Sequence, residues 1–177
     1  MLRLALAVVL AGLAWPALAL DTLPASRALT FDGKRLVRAA DGTTPVERWR
    51  EFIPEGESLE RWTRLASIRE YPTHADVKPF AGELLRALKR SYPDAPSSIL
   101  ENPTTGEVMV DFIVWPQDRA FTEFNLFRYR KREGGGVVAQ QYALRVYGDA
   151  TAFLRGLKAE RTRLLDVMAK EGLRAAR

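Results

Sequence analysis

Residues Phe121–Tyr147 read FTEFNLFRYRKREGGGVVAQQYALRVY, and this stretch decides the fold. Side chains along a strand point alternately to two faces. In the first half, Phe121, Glu123, Asn125, Phe127 and Tyr129 fall on one side and Phe124, Leu126, Arg128 and Arg130 on the other. In the second half, Val138, Gln140, Tyr142, Leu144 and Val146 share a face opposite Ala139, Gln141, Ala143 and Arg145. Between the halves, Gly134-Gly135-Gly136 can take the positive φ values that a hairpin loop demands. The stretch is therefore an antiparallel pair of strands.

Just before it, Val108 to Trp115 is nearly continuous in β-branched and aromatic residues, with Asp111 the only charge and Pro116 as its stop. This pattern predicts a central strand. Further upstream, Val77, Phe80, Ala81, Leu84, Leu85 and Leu88 recur at three- and four-residue spacing, which predicts a helix starting at Asp76 or Val77 and ending before Pro93. Pro79 fits the first helical turn, and Thr73 falls in the preceding loop. Downstream, Asp149 is suited to cap a last helix carrying Phe153, Leu157, Leu164, Leu165 and Met168, a stripe interrupted by Arg161. Gly156 costs about 0.8–1 kcal/mol in a helix interior relative to alanine, so it marks either close helix–sheet contact or a weak first turn.

The earlier part of the chain predicts shorter strands. Leu29–Arg38 is a strand or hairpin around Asp32-Gly33, with Asp41-Gly42 as the next turn signal. Val46–Ile53 is a strand closed by Pro54-Glu55-Gly56, and Glu60–Arg69 is another, with imperfect periodicity. The expected class is α+β, an antiparallel β-sheet packed with two principal helices. This order of elements resembles the PsbP and Mog1-like α/β/α sandwich, and the resemblance implies a scaffold used mainly for binding other proteins. A second, local resemblance rests on Glu51-Phe52-Ile53-Pro54-Glu55-Gly56-Glu57, Leu59 and Trp62-Thr63. It is similar to a Pro-x-Gly turn, spacer and Trp-Thr segment of small, uncharacterised exported proteobacterial proteins.

The chain begins MLRLALAVVLAGLAWPALAL, with Arg3, an apolar run from Leu4 to Trp15, and Ala17 and Ala19 in the A-x-A positions. This is the pattern of a secretory signal peptide over residues 1–19. The apolar run is shorter than the roughly 20 residues that span a bilayer. The expectation is cleavage, a single globular domain over residues 20–177, and a periplasmic or secreted location with no membrane span after cleavage. Lys and Arg number 27 against 22 Asp and Glu, for a net charge of +5, or +4 without Arg3. That modest excess favours an acidic surface such as anionic headgroups, while export argues against nucleic acid.

Composition excludes much chemistry. The chain has no cysteine and one histidine, His74, so disulfides, thiolate catalysis and iron–sulfur clusters are excluded, and no zinc site or other metal or cofactor is expected. No serine stands in G-x-S-x-G, and the three glycines lack the P-loop and Rossmann patterns. Glu51, Glu55, Glu57 and Glu60 cluster near a turn and are candidates for a carboxylate-based hydrolase if two converge in a cleft. Trp49, Trp62 and Trp115 suit either a core or a recognition surface. In the second case Trp62 lines a groove with the Pro54-Glu55-Gly56 turn, Glu51 and Glu57. Arg128, Arg130 and Arg145 would favour an acidic partner if adjacent strands bring them onto one face, or else they are separate arginines paired with Glu123 or Glu133. The leading expectation is noncatalytic binding of a periplasmic protein or envelope component at a surface drawn from Glu51, Glu55, Glu57, Trp62, Arg128, Arg130 and Arg145. The alternatives are the hydrolase and a carrier of a small apolar ligand.

Overall fold

A computed structural model describes residues 26–176. The expected export segment, residues 1–19, lies outside the described residues. In chain order the elements are β1 (Ala28–Phe31), β2 (Lys34–Thr43), β3 (Arg48–Ile53), β4 (Arg64–Tyr71), α1 (Val77–Ser91), β5 (Ser97–Glu101), β6 (Val108–Val114), β7 (Phe121–Lys131), β8 (Val137–Tyr147), α2 (Thr151–Lys170) and β9 (Arg174–Ala175). All nine strands form one antiparallel sheet in the order β5-β6-β7-β8-β4-β3-β2-β1-β9, which does not close into a barrel. The fold is the α+β class that the sequence predicts.

The β7–β8 hairpin turns through Gly134, Gly135 and Gly136, whose φ values of 81°, 100° and 92° suit glycine alone. Its alternation places each helix. Phe124, Leu126, Val138 and Tyr142 pack with Leu157, Leu164, Leu165 and Met168 of α2, together with Leu29, Phe31, Leu36 and Phe52 from β1–β3. Phe127, Tyr129, Val137 and Ala139 pack with Val77, Ala81 and Leu88 of α1, together with Val108, Val110 and Phe112 from β6. The two helices therefore lie on opposite faces of the sheet. Helix α1 starts at Val77 after the N-cap residue Asp76 and ends before Pro93. In α2 the N-cap is Ala150, one residue later than predicted, and the Asp149 carboxylate accepts from the Thr151 N–H at 2.9 Å.

Two sequence readings need correction. Val108–Val114 is not central, because it has only the edge strand β5 beyond it. Its unbroken apolar character comes from cover on both faces: Val110 packs under α1, and Met109 and Ile113 pack against the cluster on the α2 side. The Asp41-Gly42 pair is not a turn but part of β2, and the chain reverses at Thr44–Glu47, where the Thr44 N–H donates to the Glu47 carbonyl at 2.7 Å. Gly42 stands opposite Trp49, whose ring would clash with any Cβ there, so the glycine makes room for an aromatic across the ladder. The edge strands β5 and β9 escape the pattern because they are short and mostly exposed.

Arg161, which interrupts the apolar stripe of α2, answers the single charge of β6. Its guanidinium donates to both Asp111 carboxylate oxygens at 2.8 and 2.6 Å and to the Ser98 hydroxyl at 2.6 Å. Asp111 is 8 % exposed and Arg161 37 % exposed. Replacing Arg161 with leucine strands a buried carboxylate and is expected to cost about 1–3 kcal/mol in urea unfolding. Adding Asp111→Leu should recover much of that loss, whereas additive losses would show that the pair is not coupled.

Candidate functional site

The connection between β3 and β4 is built by the segment around Trp62. Pro54 and Glu57 close a turn with an N–H to carbonyl distance of 3.2 Å, and Ser58 bridges back to Arg61. The Glu57 carboxylate accepts from the Thr63 N–H at 2.6 Å and from its hydroxyl at 2.7 Å. Trp62 is 5 % exposed and packs on Ile53, Leu65, Ala143 and Leu59. Arg145 stacks on the Trp62 ring at 3.9 Å and on the Phe121 ring at 4.1 Å, and pairs with Glu123 at 2.5 Å. The Tyr147 hydroxyl donates to the Trp62 carbonyl at 3.2 Å and accepts from the Trp62 N–H at 3.1 Å. Trp62 is thus a buried clamp rather than the wall of a recognition groove.

The remaining residues singled out by sequence do not converge. Glu51 and Glu47 both hold Arg69, the first at 2.7 Å, and the Tyr71 hydroxyl donates to Glu47 at 3.2 Å. Burial pushes the Tyr71 hydroxyl far above its ordinary range, with Glu47 adding to the effect. Burial opposes the Arg69 cation, but Tyr71, Glu47 and Glu51 outweigh it and leave its pKa raised. Glu55 is 84 % exposed, 3.8 Å from Arg35. Arg128 and Arg130 lie on the α2 face, whereas Arg145 lies on the α1 face, so the sheet separates the three. Arg128 pairs with Glu107 at 2.9 Å and donates to the Met168 carbonyl at 2.9 Å, near the C-terminal end of α2. Arg130 is exposed. His74 packs against Phe80 at 4.4 Å. Among the described residues no three His, Cys, Asp or Glu side chains are placed to hold a metal.

A groove of about 330 Å³ lies on the α2 face, between the first half of α2 and the adjoining ends of β4 and β8. Leu144, Val146, Ala152, Phe153 and Leu157 give it apolar walls, and Thr63, Arg64 and Glu160 line it with polar groups. The buried clamp at Trp62 fixes Thr63 and Arg64 as one rim, because the Thr63 carbonyl also accepts from the Arg145 N–H at 3.0 Å. Gly156 lines the groove too, and a Cβ built on it meets no atom within 4 Å. Close helix–sheet contact therefore does not explain this glycine.

Arg64 lies against the buried hydroxyl of Tyr142. Burial raises that hydroxyl to about 12, partly offset by the Arg64 cation and its hydrogen bond. Glu160 is drawn to Arg163 at 3.4 Å, and Asp32 is also held by Arg163. No ion pair involves Arg64 among the described residues. Sequence reading missed Arg64 and the groove, since apolar periodicity marks faces that turn inward and does not show where a helix and sheet part. Its one usable signal was Gly156, a poor helix residue without a local role.

Fold and site together define an α+β domain with an open antiparallel sheet, a helix on each face and a groove of mixed apolar and polar lining under the second helix. A family model matches residues 23–173, and the chain belongs to that uncharacterised family. No curated protein and no solved structure matches the chain.

The Tyr142 hydroxyl ionises at 10.0 when free and at about 12 in the fold. The stability it contributes is complete below the lower value and is lost as pH rises through the upper one. Tyr142→Phe should therefore flatten the fall in urea midpoint between pH 10 and 12, a difference on the order of 3 kcal/mol by the upper end of that range. An identical pH profile in the variant would show that this hydroxyl titrates alike in the folded and unfolded chains.

Proposed function

We propose that this is an exported, noncatalytic binding protein that takes up an apolar component of the cell envelope in the groove beneath α2. The observation that carries the reading is the groove itself, with apolar walls, a cation at the rim and a helix glycine at its lining. Its volume of about 330 Å³ sits at the small end of the range for ligand sites. The N-terminal pattern of Arg3, the apolar run and Ala17-x-Ala19 supports export, with the periplasm as the compartment. The likeness to the PsbP and Mog1-like binding scaffolds rests on element order, and the likeness to small exported proteobacterial proteins on the Trp62-Thr63 segment. Against the hydrolase stand the contacts of its candidate carboxylates: Glu51 is held by Arg69 and Glu57 by Thr63, while Glu55 projects into solvent.

Nile red, a neutral apolar dye, should bind the protein with a blue shift in emission, and Gly156→Phe should abolish that shift by filling the groove. An undiminished shift in the variant would overturn the reading. Gly156→Ala should raise stability by up to about 1 kcal/mol, since nothing obstructs the added methyl.

A protein partner is a second reading, favoured by Ile99 and Leu100 on the edge strand β5, which are 39 % and 43 % exposed. An edge strand offers free backbone groups to an incoming strand. The chain has no native cysteine, so Ile99→Cys labelled with a benzophenone reports contact at this edge alone. A crosslinked adduct in the periplasm is expected if a protein docks there, and its absence removes the reading.

A further inference from the structure

We infer that the groove ligand is a single-chain anionic amphiphile, with its carboxylate or phosphate head on Arg64 and its chain along Phe153, Leu157, Leu144 and Val146. The inference rests on the proposed binding role of this groove and adds the charge and shape of what enters it.

Charge comes first. The groove is lined by two ionisable side chains, Arg64 and Glu160, apart from Arg145, whose guanidinium lies between the Trp62 and Phe121 rings on the other face. Arg163 draws Glu160 at 3.4 Å while also holding Asp32, so one cation is shared between two carboxylates. Arg64 has no such partner among the described residues. Its contact with Tyr142 leaves the full positive charge in place, because a neutral hydroxyl accepts a hydrogen bond without cancelling charge. A guanidinium with donors to spare beside apolar walls matches an anionic head joined to a hydrocarbon chain.

Position and size come next. Arg64 opens β4 directly after Thr63, which Glu57 grips through two hydrogen bonds. The rim is therefore fixed before a ligand arrives, and little ordering entropy opposes binding. About 330 Å³ has room for one medium-length chain. Gly156 supports the same occupant, since a side chain on the groove-lining turn of α2 would narrow the slot that a chain needs.

The test is titration calorimetry of the protein with decanoate and with decanol, which share a chain and differ in head charge. Decanoate should bind roughly tenfold or more tightly than decanol, the size of one charge-assisted hydrogen bond. Arg64→Gln should bring the two affinities together, chiefly by weakening decanoate, and Arg64→Lys should keep part of the preference for the anion. Gly156→Phe should remove both ligands. Equal affinities in the unaltered protein, or a preference that survives Arg64→Gln, would overturn the anionic assignment while leaving the groove as an apolar site. Failure of both ligands to bind, with no Nile red shift, would overturn the groove reading and this inference together.

Discussion

The β7–β8 hairpin carries apolar side chains on both of its faces, and a sheet so built must be covered twice. Phe124, Leu126 and Tyr142 require one layer, and Phe127, Tyr129 and Val137 require another. Helices α1 and α2 meet those two requirements, and strands on either side extend the sheet to nine. Arg161 then pins α2 over β6 through Asp111 and Ser98. With the middle of α2 held there, its first half stands over the ends of β4 and β8, and the groove follows from that placement.

Most of the framework was legible in the sequence. The hairpin, the start of α1, the stripe of α2 and the class of fold follow from alternation and helical spacing, which are local signals. Sheet order was not legible, since a strand covered on both faces, such as Val108–Val114, reads as central wherever it lies. Asp41-Gly42 misled for a related reason. Its glycine answers a tryptophan on the next strand, a contact between strands that local turn chemistry does not encode.

The candidate site divides in the same way. Trp62, Glu51, Glu57 and Arg145 attracted notice as exceptional residues in sequence, and each proves to hold the sheet and its β3–β4 connection together. Arginines that alternate on neighbouring strands were separated by a parity that the register fixes, with Arg145 on one face and Arg128 and Arg130 on the other. Arg64 drew no attention, because an arginine beginning a strand is ordinary until its neighbours are known. What distinguishes it is the engagement of nearby carboxylates by Arg163, a fact of three-dimensional arrangement. The buried clamp and the groove rim are thus one construction, with Trp62 fixed below so that Thr63 and Arg64 are fixed above.

In the proposed binding mode an apolar chain lies under the first half of α2. Nuclear Overhauser contacts between the methylene protons of bound decanoate and the methyl groups of the protein would locate it. Contacts to Leu144, Val146 and Leu157 are expected. Contacts confined to Ile99 and Leu100, at the far edge of the sheet, would contradict it.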